Sequence, residues 1–314
     1  MPEAVVLIKS ASDANSIEQT ALPVPMALVH RTRVQDAFPI SWIPKGGDRF
    51  SVTAVLPHDH PFFAPVHGDR HDPLLIAETL RQAAMLVFHA GYGVPVGYHF
   101  LMATLDYTCH LDHLGVSGEV AELEVEVACS QLKFRGGQPV QGQVDWAVRR
   151  AGRLAATGTA TTRFTSPQVY RRMRGDFATP TTSVPQTAPV PAARVGRTRD
   201  EDVVLSASSQ QDMWRLRVDT RHPTLFQRPN DHVPGMLLLE AARQAACLVT
   251  GPGPFVPSIG GTRFVRYAEF DSPCWIQATV RPGPAAGLTT VRVTGHQDGN
   301  LVFLTTLSGP EFFG

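Results

Sequence analysis

The chain repeats itself. Residues 60–88 lie on residues 222–250 at a constant offset of 162 with no gap, and 11 of the 29 positions are identical. The identities are His60/His222, Pro61/Pro223, Asp69/Asp231, Leu75/Leu237, Glu78/Glu240, Arg81/Arg243, Gln82/Gln244, Ala83/Ala245, Ala84/Ala246, Leu86/Leu248 and Val87/Val249. The same offset carries Val94-Pro95 onto Val256-Pro257. A repeat of this length marks two copies of one supersecondary unit, which bury their apolar faces together. Between the copies, Ser166 to Arg199 is rich in Pro, Thr, Ala and Arg and nearly free of apolar periodicity, so it reads as a linker. The expected division is residues 1–165 for the first repeat, 166–199 for the linker and 200–314 for the second repeat.

Each copy has the same order of local signals. A strand-like segment, SVTAVL at 51–56 or MWRLRV at 213–218, precedes an apolar run of helical length, about Leu74–Ala90 or Met236–Thr250. Pro73 or Pro234 stands just ahead of the run, where proline is tolerated, and the Gly-Pro run at 251–254 ends the second helix. Several segments of alternating, β-branched character follow and read as strands. One almost wholly apolar helix followed by an antiparallel meander predicts an α+β unit in which a curved sheet wraps a central helix. That is a hotdog fold, present twice and related by a pseudo-twofold axis.

Composition excludes several function classes. Lys plus Arg number 28 against 28 Asp plus Glu, and this balance argues against a general nucleic-acid binder, which needs surplus cations to release counterions. Only Lys9, Lys45 and Lys133 are lysines, so nearly every cation is a guanidinium suited to carboxylate or phosphate. Four dispersed cysteines form no CxxC pair, fit neither a disulfide framework nor a zinc ribbon, and point to a reducing cytoplasm. The early apolar run Ala4–Ile8 is too short for a signal-peptide core or a membrane span. No HExxH helix, Walker loop, GxGxxG or GxSxG occurs, and neither a metal nor another cofactor is expected.

The helices carry an inverted pattern. An ordinary surface helix is polar with an apolar stripe; these are apolar with one polar stripe, Glu78, Arg81 and Gln82 in one copy and Glu240, Arg243 and Gln244 in the other. Positions i, i+3 and i+4 share a face. A buried ion pair that only satisfies itself is the plain explanation. Recurrence at the same register, with His60 or His222 18 residues ahead of the Glu in each copy, points instead to a site.

The segment DHVPGMLLLEAARQAA at 231–246 resembles the helix of β-hydroxyacyl-carrier-protein dehydratases, hotdog proteins in which a His and a helix carboxylate from different hotdogs share a site. Here His222 stands farther from the Glu and an Arg follows it three residues later, which argues against dehydration. The whole chain is more similar to the A-factor biosynthesis family of γ-butyrolactone signalling. The matching segments are VHR at 29–31, HDPLLIAETLRQA at 71–83, VPVGYHF at 94–100 and DHVPGMLLLEAARQA at 231–245. The resemblance implies an acyltransferase that moves a β-ketoacyl group from acyl carrier protein to the hydroxyl of dihydroxyacetone phosphate, the ester then condensing to a butenolide phosphate.

Such chemistry needs a base, an oxyanion site and a dry acyl slot. The expected catalytic residues are Glu240, Arg243, Glu78, Arg81, His222 and His60; the expected substrate-binding residues are Gln82, Gln244, His71, His232 and Gly235. A Glu in an apolar wall is expected to have a raised pKa, with His222, His60, His232 and His71 as alternative bases. The helix starts near Leu74 and Gly235 offer N–H groups to a thioester oxygen, and Arg81 and Arg243 offer charge to a phosphate. Each pocket is expected to mix halves, His60 with Glu240 and His222 with Glu78, and the Pro234-Gly235 pair favours the second copy. The repeat supplies the hotdog's partner internally, so a monomer is as compatible as a homodimer. A dehydratase or thioesterase and a non-catalytic acyl-ligand binder are the alternatives.

Overall fold

Thirteen of the 14 residues of helix α1, Pro73–Leu86, are buried, Arg81 being the exception. A helix apolar all round must be covered on every side, and the strands do this. In a computed structural model of the chain, which describes residues 21–66, 69–116, 120–181, 184–251, 255–283 and 285–310, the other helices are α2, Pro167–Arg174, and α3, Gly235–Thr250. The early apolar run Ala4–Ile8, His67 and Pro252 to Pro254 of the glycine-proline stop lie outside the described residues. No helix among the described residues is long and apolar enough to cross a membrane.

The first repeat contributes β1 (Leu22–Pro23), β2 (Pro39–Gly46), β3 (Arg49–Leu56), β4 (His99–Cys109), β5 (Ala121–Arg135), β6 (Gln138–Arg150) and β7 (Arg153–Thr165). The second contributes β8 (Leu205–Ala207), β9 (Met213–Leu216), β10 (Ile259–Phe264), β11 (Cys274–Pro282), β12 (Leu288–Gln297) and β13 (Asn300–Pro310). Strict alternation shapes them. In β5, Ala121, Leu123, Val125, Val127 and Cys129 point inward while Glu122, Glu124 and Glu126 point out. Helix α1 packs against β2 to β5, and α3 against β8 and β11 to β13. At Gly158 of β7 a side chain is excluded, because a Cβ would lie 2.8 Å from both the Asp106 carbonyl oxygen and Leu80 Cδ1 of α1.

All strands join one sheet in the order β1-β2-β3-β5-β6-β7-β4-β10-β13-β12-β11-β9-β8. Counted outward from the β4/β10 seam, where Thr108 to Thr104 pair antiparallel with Ile259 to Arg263, the six strands β4 to β2 match the six strands β10 to β8, and β1 is an extra edge strand of the first repeat. An antiparallel pair of equivalent strands is what a twofold relation requires. The expected double hotdog is the observed architecture.

The segment read as a linker is ordered at both ends. Ser166 caps α2 by accepting from Val169 N at 3.3 Å, with Pro167 in the first turn. Arg174 then fixes α2 to the second repeat through Asp231 Oδ2 at 3.0 Å and both oxygens of Glu269 at 2.6 and 2.7 Å. At the other end a 3₁₀ turn, Ala192–Val195, delivers Arg197 into the interior. These anchors are charge pairs and caps, which leave no apolar period to read.

Candidate active site

The polar stripes meet partners of their own. Glu240 accepts from Arg243 Nε (2.8 Å) and Nη2 (2.7 Å), from Arg197 Nε (2.8 Å) and from Gln244 Nε2 (2.6 Å). Glu78 accepts from Arg81 Nε and Nη2, both at 2.8 Å, from Gln82 Nε2 at 2.7 Å and from Arg31 Nη2. Burial alone would raise both carboxyls, as expected from sequence. The paired guanidiniums outweigh it and hold each at about 2. Neither glutamate is the raised-pKa base anticipated; both are ionised and fully bonded. Gln82 and Gln244, expected to hold substrate, are also engaged. Gln82 donates to Asp36 O and accepts from Phe38 N, and Gln244 donates to Asp202 O and accepts from Val204 N.

The new partners expose a second repeat. Arg31-Thr32-Arg33 with Asp36 recurs as Arg197-Thr198-Arg199 with Asp202, at an offset of 166 rather than 162. These aspartates meet the repeated histidines: His60 Nε2 lies 3.1 Å from Asp36 Oδ1, and His222 Nε2 lies 3.1 Å from Asp202 Oδ1. Each Nδ1 accepts two backbone N–H groups, from Phe62 and Phe63 or from Thr224 and Leu225. With Nε2–H donating and Nδ1 accepting, both rings are loop clamps with no nitrogen left for a substrate proton. Each histidine thus bonds within its own repeat, and the bonds across the halves are made by other residues. Arg197 Nη1 donates to the Phe62 carbonyl, and Gln227 Nε2 donates to Asp36 Oδ2 at 2.9 Å.

The two ends of the pseudo-twofold are unequal. A cavity of about 1340 Å³ opens between the Arg81 face of α1 and the start of α3. The Arg81 side chain is 19% exposed and lines it, whereas that of Arg243 is 5% exposed. The two halves are mixed here as expected, but the cavity takes its arginine stripe from the first repeat and its helix start from the second. That start is open: Pro234 is the N-cap with no side-chain bond, and Gly235 and Met236 line the cavity. At the other end Asp72 closes α1 by accepting from Leu74 N at 2.8 Å. A Cβ on Gly235 would only touch the Phe264 ring, at 3.4 Å, so packing does not demand the glycine.

Around the open helix start, Asp231 Oδ1 holds His232 Nδ1 at 2.7 Å and Tyr170 OH lies 2.8 Å from Asp231 Oδ2. These bonds carry Asp231 below the usual carboxylate range against its own burial. Arg228 also lines the cavity, and among the described residues no carboxylate pairs with it. Phe100, Met102, Met85, Leu238 and Val302 supply the apolar wall. His71, another candidate base, is buried and does not line the cavity. Burial pushes the Cys129 and Cys274 thiols up to about 12, which leaves them unreactive.

A pH dependence of stability follows. Burial, aided by Arg228, His89, Arg81 and Arg31, pushes His30 down to about 3; burial, aided by Arg150 and His58, pushes His71 down to about 4. The unfolded chain takes up protons near pH 6.5 that the folded chain refuses, so stability falls as pH drops below that value. The slope is up to about 1.4 kcal/mol per pH unit for each group. Thermal melts should therefore show a lower Tm at pH 5 than at pH 7; equal values would contradict the assignment.

The model of the A-factor biosynthesis hotdog domain matches residues 12–166 and 179–309. This chain belongs to the A-factor biosynthesis hotdog family. Across its full length it is 96% identical to the 2-oxo-3-(phosphooxy)propyl 3-oxoalkanoate synthase of Streptomyces coelicolor, covering all of both chains. The enzyme of the same name from Streptomyces griseus is 63% identical over 314 residues, again covering both chains fully. That from Streptomyces virginiae is 44% identical over 280 residues, 89% of this chain and 95% of its own. Among solved structures, a putative oleoyl thioesterase from Lactobacillus plantarum superposes with TM-score 0.53 at 12% identity, covering 86% of this chain and 99% of that one. The 12:0-ACP thioesterase of Umbellularia californica gives 0.52 at 13%, covering 86% and 100%. At such identities these two speak for the hotdog fold alone.

In this family member the sequence assigned no role to Arg31, Arg197, Asp36, Asp202, His30 or Arg228, although His30 and Arg31 lie in the matching VHR segment. The RTRxxD repeat at its own offset was the available signal for the first four. For Arg228 the signal was a difference between copies, since Val66 stands at the equivalent position.

Proposed function

We propose that this chain transfers a 3-oxoacyl group from acyl carrier protein to the hydroxyl of dihydroxyacetone phosphate. The product is the ester for which its curated relatives are named. It then closes to a butenolide phosphate by intramolecular condensation, the ring of a γ-butyrolactone signal. The observation that carries this reading is the convergence of Arg81 and Arg228, an open helix start and an apolar wall on one cavity. The two guanidiniums suit a phosphate dianion, for which a hydrolase using water has no need. The N–H groups of Gly235 and Met236, at the positive end of α3, suit the oxygen of a thioester as it becomes an oxyanion. His232, oriented by Asp231 beside that helix start, contacts the thioester end of the substrate, and the apolar wall takes the acyl chain. The reaction fits the cytoplasm, where carrier-bound acyl chains and triose phosphates are made, and one chain suffices because its repeats provide both sides of the cavity.

The test is to incubate the protein with β-ketoacyl carrier protein, with and without dihydroxyacetone phosphate, and to follow products by mass spectrometry. The phosphorylated ester should form only when the acceptor is present. Free acid released equally in both reactions would favour a thioesterase instead, and no turnover with retained acyl binding would favour a ligand-binding protein.

A further inference from the structure

Transfer to an alcohol requires a base; Glu78, Glu240, His60 and His222 are fully engaged, His71 lies off the cavity, and His232 stands at the helix start, the thioester end. We propose that His30, held in place by His89, removes the proton from the acceptor's hydroxyl; this rests on the acyltransfer reading.

The backbone at His30 is left-handed, φ 54° and ψ 44°, a conformation that side chains other than glycine adopt at a cost of about 1–2 kcal/mol. The second repeat makes the same turn at φ 65° and ψ 32°, and there the residue is Gly196. The strained position in the first repeat therefore carries an imidazole that the turn itself does not need. His30 lines the cavity together with Arg81 and Arg228, both of which act on its imidazole.

A second histidine sets the tautomer. Helix α1 runs on into a π-helical turn, Val87–Gly91, which carries His89. His89 Nδ1 lies 2.6 Å from the Val94 carbonyl oxygen, so Nδ1 bears the proton and Nε2 is an acceptor. His30 Nε2 lies 2.9 Å from that acceptor and must donate to it. The lone pair of neutral His30 is thereby fixed on Nδ1, which bonds to no described group. In the second repeat the position of His89 is Gly251. Both imidazoles are thus absent together at the end of the molecule where Asp72 caps the helix and Arg243 is buried.

The step balances. As the hydroxyl oxygen bonds to the thioester carbon, its proton passes to His30 Nδ1; the tetrahedral oxyanion collapses, the C–S bond breaks, and the departing thiolate takes the proton back. Surrounding cations also couple the base to its substrate. Burial first, and Arg228, His89 and Arg81 next, depress the basicity of His30. A phosphate dianion beside Arg81 and Arg228 offsets the contributions of those two guanidiniums, while that of burial stays. The base strengthens when the acceptor is seated, which favours transfer over hydrolysis.

The test uses His30→Gly, which copies the residue of the other repeat and relieves the left-handed strain, so the variant folds. Its kcat should fall by about 100-fold or more, the usual contribution of a positioned base. KM for dihydroxyacetone phosphate should change little, and added imidazole should restore part of the rate. His89→Ala should lower kcat without raising KM, and His89→Gln, whose side-chain carbonyl can accept from His30 Nε2, should recover part of the loss. A folded His30→Gly variant with kcat close to that of the parent would overturn the role of His30 while leaving the acyltransfer reading intact. A parent protein that forms no ester would overturn both.

Discussion

Replacing Glu240 by Gln should lower the unfolding free energy by about 3–5 kcal/mol, the usual result of removing one partner from a buried ion pair. Glu240 is fully buried between Arg197 and Arg243, themselves 7% and 4% exposed. The amide fills the same volume but leaves two interior guanidiniums with only Asp72, 4.0 Å from Arg197, as a neighbouring carboxylate among the described residues. With total stabilities of about 5–15 kcal/mol, a loss of that size is a large fraction of what holds the chain folded. Glu78→Gln should be milder, because Arg81 reaches the cavity and can regain water. Urea unfolding of the two variants against the parent checks both statements; a Glu240→Gln protein as stable as the parent would show that the cluster is not electrostatically locked. The stripe at Glu240 and Arg243, which the sequence suggests as catalytic, is on this reading the structural copy of the pair.

Arg228→Val should act in the opposite way. Arg228 is exposed and, among the described residues, pairs with no carboxylate, and the other repeat has Val66 in its place. Folding should therefore be unaffected. A hydrogen bond to a charged group is worth about 1.5–3 kcal/mol, so KM for dihydroxyacetone phosphate should rise by about 10- to 150-fold. KM for the acylated carrier should stay the same. A normal acceptor KM in this variant would remove Arg228 from the phosphate site.

The fold was legible because its signals are local. The apolar runs ending near Ala90 and Thr250, the Glu-Arg-Gln spacing and the alternation in β5 each concern residues a few positions apart. Arg31 and Arg197 escaped for a definite reason. Asp36 and His60 are 24 residues apart, Asp202 and His222 only 20, so the loops absorb a length difference and no single ungapped offset carries both blocks. The unequal cavity escaped for another. It borrows Arg81 from one repeat and Gly235 from the other, a juxtaposition made by the twofold at the β4/β10 seam and by no spacing along the chain. The sign of the Glu78 and Glu240 shifts likewise depended on Arg31 and Arg197, whose approach only the folded chain reveals.

The β4/β10 seam joins two copies within one polypeptide, and this bears on heredity. In an assembly of two identical chains every substitution appears at both related sites, so a histidine gained in one pocket is gained in the other, and an aspartate that plugs one plugs both. Joining the copies lifts that constraint. His30 can face Gly196, and Asp72 can face Pro234, only where each copy has its own codons. One site is then free to specialise while its twin becomes ballast for the fold.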